Sequence, residues 1–303
     1  MNRRRIEEDL CMGGFNKKTA WWALTAVAAV IPVVYGYQTY QRQQAEARVR
    51  EARMAEIRAD KAEFERLCKE VAGYKFYRRA ENVEGILLPK IRHYGEWRDA
   101  MAPGAAFALE EYDGAYIDTF LGYRFPSSVM DNSYPTSTSK SEGAIPGFKY
   151  VDIIDEQDGK RYRVTGSHKA VRKQDTSAPE VKRLMAADPN YDLNVYNWVL
   201  DKVPAPEPAP RFAVTFEDHV VPAERARGLA SSTVRVIDTQ TGEVMAEMLR
   251  YAWTPGRASP ANPRPWLTAY KCPGFLHGSD NATRQFVDRV LVPPGASAPP
   301  PLP

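Results

Sequence analysis

The sequence predicts an α+β protein: an N-terminal transmembrane helix and helical stalk, followed by an antiparallel-sheet domain with a few helices. Three observations predict it. An uncharged apolar stretch lies near the N-terminus, helix-forming residues follow without Pro or Gly as far as Gly73, and beyond Gly73 short branched and aromatic segments alternate with turn residues. The implied divisions are a cytoplasmic tail over 1–18, a transmembrane helix over 19–40 and a helical stalk over 41–56. A globular domain then covers 57–292, and a disordered Pro-rich tail covers 293–303.

From Thr19 to Gln41 no residue is charged, and Ala20–Tyr37 is almost wholly apolar. About 20 such residues in a helix match a hydrocarbon core of about 30 Å. Trp21 and Trp22 at one end, with Tyr35 and Tyr37 at the other, read as membrane-interface belts, because amphipathic rings prefer the headgroup level. Pro32 lies inside the span, where one kink is tolerated. A cleaved signal peptide is the rival reading. Ala45-Glu46-Ala47 has the small-x-small form of a cleavage site, but Arg42 and several polar residues separate it from the apolar run. Lys17 and Lys18 abut the span, so the positive-inside bias places the N-terminus in the cytoplasm and the large domain beyond the membrane.

Gln38–Ala72 reads as one helix, with Glu46–Arg50 and Glu65–Lys69 in the favourable acid-to-base order. Ile57, Phe64, Leu67, Cys68 and Val71 share roughly one face of it, which suggests docking onto the globular domain. Strands are expected at Tyr74–Arg78, Val83–Leu88, Val151–Ile154, Tyr162–Val164, Phe212–Phe216, Val234–Ile237 and Val244–Leu249. Asp158-Gly159 and the segment Asp238–Gly242 mark two hairpins, and local hairpins argue for an antiparallel sheet. The Pro-rich segment Val203–Pro210 reads as an extended connector, and an amphipathic helix after Asp280 turns Phe286, Val287, Val290 and Leu291 inward.

Composition excludes more than it assigns. With 41 basic and 38 acidic residues interleaved along the chain there is no basic stripe, so no nucleic-acid partner is expected. His93, His168, His219 and His277 are isolated in sequence, and neither a Cys-x-x-Cys nor a His-x-x-x-His pair exists, so no metal and no cofactor is expected. Gly166-Ser167-His168 lacks the Gly-x-Ser-x-Gly elbow of a serine nucleophile and reads as an ordinary strand-end turn. Glu110-Glu111-Tyr112-Asp113 and Glu217-Asp218 could supply acid and base, but such neighbours are expected by chance in a chain with this many carboxylates. Of three cysteines, Cys11 falls on the cytoplasmic side while Cys68 and Cys272 fall beyond the membrane. An even pair in an oxidising compartment is normally bonded, which predicts a Cys68–Cys272 disulfide. The competing reading is a pair of buried free thiols.

The run Leu67–Arg78 with Val83–Leu87, the segment Gly242–Glu247, and Pro265-Trp266-Leu267 with Cys272-Pro273 together resemble a family of uncharacterised bacterial envelope proteins, N-terminally anchored or exported. The resemblance covers about residues 60–290. It implies the envelope of a diderm bacterium and carries no activity and no catalytic residues. The expected function is therefore that of a bacterial inner-membrane protein of unknown activity, with a non-enzymatic binding or structural domain facing the periplasm and an envelope protein as partner. The alternatives are an enzyme with an unrecognised active site, or a receptor for a small ligand or cell-wall fragment.

Overall fold

Ala, Glu, Arg and Gln lose little side-chain freedom in a helix, and Lys17–Glu70 forms one helix, α1, in the computed structural model of the protein. The structure describes residues 17–93, 98–108, 113–124, 136–137, 146–255, 262–273 and 282–296. The chain divides into two compact units, 1–58 and 59–303.

In the first unit the described part of the expected transmembrane helix over 19–40, from Val34 onward, does not bear that expectation out, while the side chains of 19–31 and of Val33 lie outside the described residues. Among the described residues no helix is long and apolar enough to cross a membrane. From Val34 onward the helix reads Tyr-Gly-Tyr-Gln-Thr-Tyr-Gln-Arg, which interposes polar groups too densely for a hydrocarbon core. The Thr39 hydroxyl bonds back to the Tyr35 and Gly36 carbonyls at 3.0 and 2.8 Å, and the Gln44 amide donates to the Tyr40 hydroxyl at 2.6 Å. Tyr35 and Tyr37 are 69% and 64% exposed. The side chains of Trp21 and Trp22, the other expected interface pair, lie outside the described residues.

In the second unit the strands β1 (Gly73–Phe76) and β2 (Gly85–Leu88) precede helix α2 (Asp113–Leu121). Two short strands, β3 (Tyr123–Arg124) and β4 (Thr136–Ser137), pair with each other. Strands β5 (Tyr150–Ile154) and β6 (Arg161–Lys173), helix α3 (Pro179–Ala187), and strands β7 (Asn194–Pro204) and β8 (Phe212–His219) come next. Helix α4 (Pro222–Ala226) leads into β9 (Leu229–Asp238) and β10 (Val244–Trp253). A 3-10 turn over Pro265–Thr268, strand β11 (Tyr270–Cys272) and helix α5 (Ala282–Val290) complete the order.

Nine strands form one sheet in the order β1-β10-β9-β8-β2-β5-β6-β7, with β11 also on β10. The sheet is mixed, which corrects the expected antiparallel one. β2 lies between β5 and β8 and runs parallel to both, while the remaining pairs are antiparallel. The hairpins read from the turns are present: β5–β6 turns through Gly159 at φ 68°, and β9–β10 through Gly242 at φ 74°, a left-handed conformation that glycine adopts without a Cβ penalty. A parallel pair has no such local turn, because its connection must cross over many residues.

The branched inner positions of the central strands, Ile86, Leu88, Val151, Ile153, Val214, Val234 and Val236, gather with Tyr116, Ile117 and Phe120 of α2 and Phe286, Val287 and Val290 of α5 into one core. After α5 the chain pairs with the segment before β2: Val83 N–H donates to the Val292 carbonyl, and Val292 N–H to that of Ala80, both at 2.9 Å. Two carboxylates on strands are fully buried but held by arginines. Asp152 on β5 accepts from Arg161 at 2.6 Å and Arg163 at 2.8 Å. Asp238, where β9 enters its turn, accepts from Arg211 at 2.9 Å, Arg78 at 2.5 Å and the Gln240 amide at 3.1 Å.

Asp238 gives the fold a specific acid sensitivity. The Arg211 guanidinium, joined by the Gln240 amide and Arg78, holds its carboxyl at about 2, against an ordinary 3.8. A carboxyl depressed by folding stabilises fully above its unfolded value, and that contribution is lost as pH falls through the folded one. Asp238→Asn should therefore lower the melting temperature at pH 7, and the gap to the native chain should narrow between about pH 4 and pH 2. Thermal melts of both chains across that range check this; a constant gap would contradict it.

Candidate functional site

Lys61, Phe64, Glu65, Cys68 and Lys69 recur at the three- and four-residue spacing that aligns side chains along one helix face. At the end of α1 this face forms one wall of a groove of about 550 Å³. The opposite wall comes from Trp253 at the end of β10 and from Tyr270, Cys272 and Pro273 on and after β11. Antiparallel register sets Trp253 directly across from Tyr270, and their rings stack at 5.6 Å and 28°. Phe64 stacks on the other side of Trp253, at 6.1 Å and 25°. Phe64 and Trp253 are 6% and 2% exposed, so the stack is rooted in the interior and presents its edge to the groove. The buried Trp253 Nε1 has no partner among the described residues.

Cys68 and Cys272 are disulfide-bonded, with Cα atoms 5.7 Å apart and 204 residues between them in sequence. The bond joins the last turn of α1 to β11 and so fixes one groove wall against the other. The rim is charged. Lys61 and Glu65 form an ion pair at 3.4 Å, and Lys69 stands exposed beside them. Lys271 also lines the groove, although strand alternation turns its buried side chain to the opposite face of the sheet from Tyr270 and Cys272, beside Ala252.

The remaining sequence candidates do not converge. Ser167 and His168 are neighbours on β6 and face opposite sides of the sheet; the Ser167 hydroxyl donates to Asp201 at 3.3 Å, while the His168 ring meets Trp198 edge-on at 5.2 Å. Glu217 and Asp218 are likewise separated by alternation. Glu217 accepts from Arg235 at 3.2 Å, and Asp218 accepts both ends of the Arg92 guanidinium at 3.0 Å. His93 meets Glu156 at 3.0 Å and His219 meets the Thr233 hydroxyl at 2.8 Å. Glu110, Glu111, Tyr112 and His277 lie outside the described residues. Among the described residues no group of three His, Cys, Asp or Glu side chains could hold a metal ion.

Two features left no trace in the sequence pattern. Asp118 on α2 accepts the Trp198 indole N–H at 2.7 Å, and burial pushes its carboxyl above the ordinary range. Buried arginines tie the 98–108 loop to the sheet. Arg92 lies on the Phe216 ring at 4.0 Å and donates to the Ser232 hydroxyl at 2.9 Å, while Arg225 donates to the Pro103 carbonyl at 2.6 Å. Each is a single residue with no periodic partner, so only the fold shows what it meets.

Compared with family models, curated protein sequences and solved structures, the chain matches none. The chemistry of the groove therefore carries the functional reading.

Closing a loop of this length stabilises by about 5 kcal/mol in the chain-entropy model. Cys272→Ala, or reduction of the native protein, should remove much of that and lower the denaturation midpoint. Thiol labelling of the denatured, unreduced protein should detect neither Cys68 nor Cys272; labelling of both would contradict the bond.

Proposed function

We propose that residues 59–303 form a non-enzymatic binding module of an oxidising, extracytoplasmic compartment, and that the groove beside the disulfide receives an aromatic or apolar group carrying a negative charge. The observation that carries this reading is the groove itself. An aromatic stack forms its floor, Lys69 stands on its rim without an acid paired to it in the described contacts, and a covalent bond fixes its two walls. Preorganised walls favour binding, because little ordering remains to be done when a ligand enters. A mostly apolar lining with one uncompensated cation selects for an amphipathic anion. The disulfide supports the compartment, since such bonds persist where the milieu is oxidising. The resemblance to bacterial envelope proteins points the same way and makes an envelope component the natural source of the ligand.

An enzymatic reading would need a shifted acid or base facing a nucleophile or a second titratable group. Asp118 is a shifted carboxyl, but the indole N–H of Trp198 is the hydrogen bond that it accepts, and Ser167 faces the other side of the sheet. That arrangement anchors a ring.

The aromatic anion 8-anilinonaphthalene-1-sulfonate tests the groove. The native protein should bind it saturably at one site, and Lys69→Glu should weaken binding about tenfold, or about 1.4 kcal/mol. Lys182→Glu, on the exposed helix α3, should leave affinity unchanged. No saturable binding, or equal affinity in the Lys69→Glu chain, would overturn the assignment.

A further inference from the structure

A second groove, of about 570 Å³, lies at the far side of the core from β10 in strand order, where α2, β6 and β7 meet the end of the chain. Tyr123, Pro146, Phe148, His168, Trp198 and Pro294 line it. Its central ring is held from three directions. The Trp198 indole donates to Asp118 at 2.7 Å, the His168 ring packs against it edge-on, and its flat side lies on Gly166, where a Cβ would come within 1.8 Å of the ring. The absence of a side chain at residue 166 thus creates the seat for the indole. A rigid aromatic platform flanked by proline rings has the chemistry that recognises an extended proline-rich strand, whose rings pack on aromatic faces and whose conformation is set in advance.

The chain carries such a strand next to this groove. Pro294 is part of the groove wall, and only Gly295 and Ala296 separate it from residues 297–303, Ser-Ala-Pro-Pro-Pro-Leu-Pro. Those last residues lie outside the described ones. Proline cannot continue a helix or complete a sheet ladder, so a segment this rich in it favours the polyproline II form, about 3.1 Å per residue and about 20 Å in all. The segment carries no charged side chain, and Lys149, which also lines the groove, is paired with Glu84.

We propose that the Trp198 groove is a polyproline-binding site whose resident occupant is the chain's own segment 297–303. A two-residue tether raises the local concentration of the segment to the millimolar range. A proline-rich segment of another protein then binds only by displacing it. The site is separate from the groove beside the disulfide, and its test is independent of that reading.

The full-length chain with Pro299→Ser, Pro300→Ser and Pro301→Ser is compared with the native one, both labelled with 5-fluorotryptophan. The Trp198 fluorine signal is assigned by its loss in Trp198→Phe, and independently by its movement in His168→Ala. The expected result is that the signal moves in the triple variant. The free peptide Ser-Ala-Pro-Pro-Pro-Leu-Pro should return it toward the native position, binding the variant at least about tenfold more tightly than the native chain. An identical signal in both chains that the peptide does not move would overturn the proposal. Equal peptide affinity for the two chains would overturn the resident role of the tail. A native signal that varies with protein concentration would assign the bound tail to a second copy and overturn the intramolecular arrangement.

Discussion

The architecture of the second unit depends on how strand β10 shares its edges. One edge pairs with β9 along its length. The other is divided between two short strands, β1 on Ala246–Leu249 and β11 on Tyr251–Trp253. Each is too short to be stable as an isolated pair, so each depends on its place beside a strand already ordered by β9. The division brings residue 73 and residue 272, far apart in sequence, onto the same strand edge. The bond between Cys68 and Cys272 results from that placement: α1 ends just before β1, and β11 runs into Cys272. The groove is a further consequence, since its walls are the helix leading to β1 and the strand beside it.

The parts of this arrangement that were legible in the sequence are those with a local signature. Asp158-Gly159 and the Asp238–Gly242 turn announced their hairpins, because a positive φ at a glycine is a requirement of the turn itself. The α5 face was legible because helical periodicity places Phe286, Val287 and Val290 together whatever they pack against. Cys68 and Cys272 could be paired by compartment and parity, yet the groove they brace could not be foreseen. It needs Trp253 opposite Tyr270, a matter of register that neither residue encodes alone. The strand expected at Val83–Leu88 is present as β2, but its parallel pairing was not legible, since it meets β5 and β8 through long connections and four residues of Gly-Ile-Leu-Leu do not say which way their neighbours run. The apolar stretch near the N-terminus was read as a span of membrane length from its freedom from charge; the side chains of 19–31 and of Val33 lie outside the described residues, and the part that is described, from Val34 onward, is not apolar enough to cross a membrane.

The distribution of charge inside the fold also bears on what the protein does. Asp152, Asp218 and Asp238 are all buried, and each is met by one or two arginines from a different part of the chain. Arg161 continues the pattern by bonding the Pro206 carbonyl and Glu207, which ties the proline-rich connector after β7 to β6. A carboxylate clasped in this way is oriented by the guanidinium groups that donate to it. The buried charges therefore fasten irregular segments to the sheet.

Asp118 is the exception that fits the same logic. Its carboxyl is raised by burial and faces an indole, so its hydrogen-bonding capacity goes to fixing the orientation of Trp198. Among the described residues three rings are held by polar groups: Trp198 by Asp118, Phe216 by Arg92, and the Trp266 indole by the Ala100 carbonyl at 2.9 Å. Of these rings Trp198 lines a groove, so the group that anchors it also fixes part of that surface. No residue pattern announced the Trp198 groove for that reason, since it depends on a ring and its anchor from separate elements, brought together only when the sheet has formed.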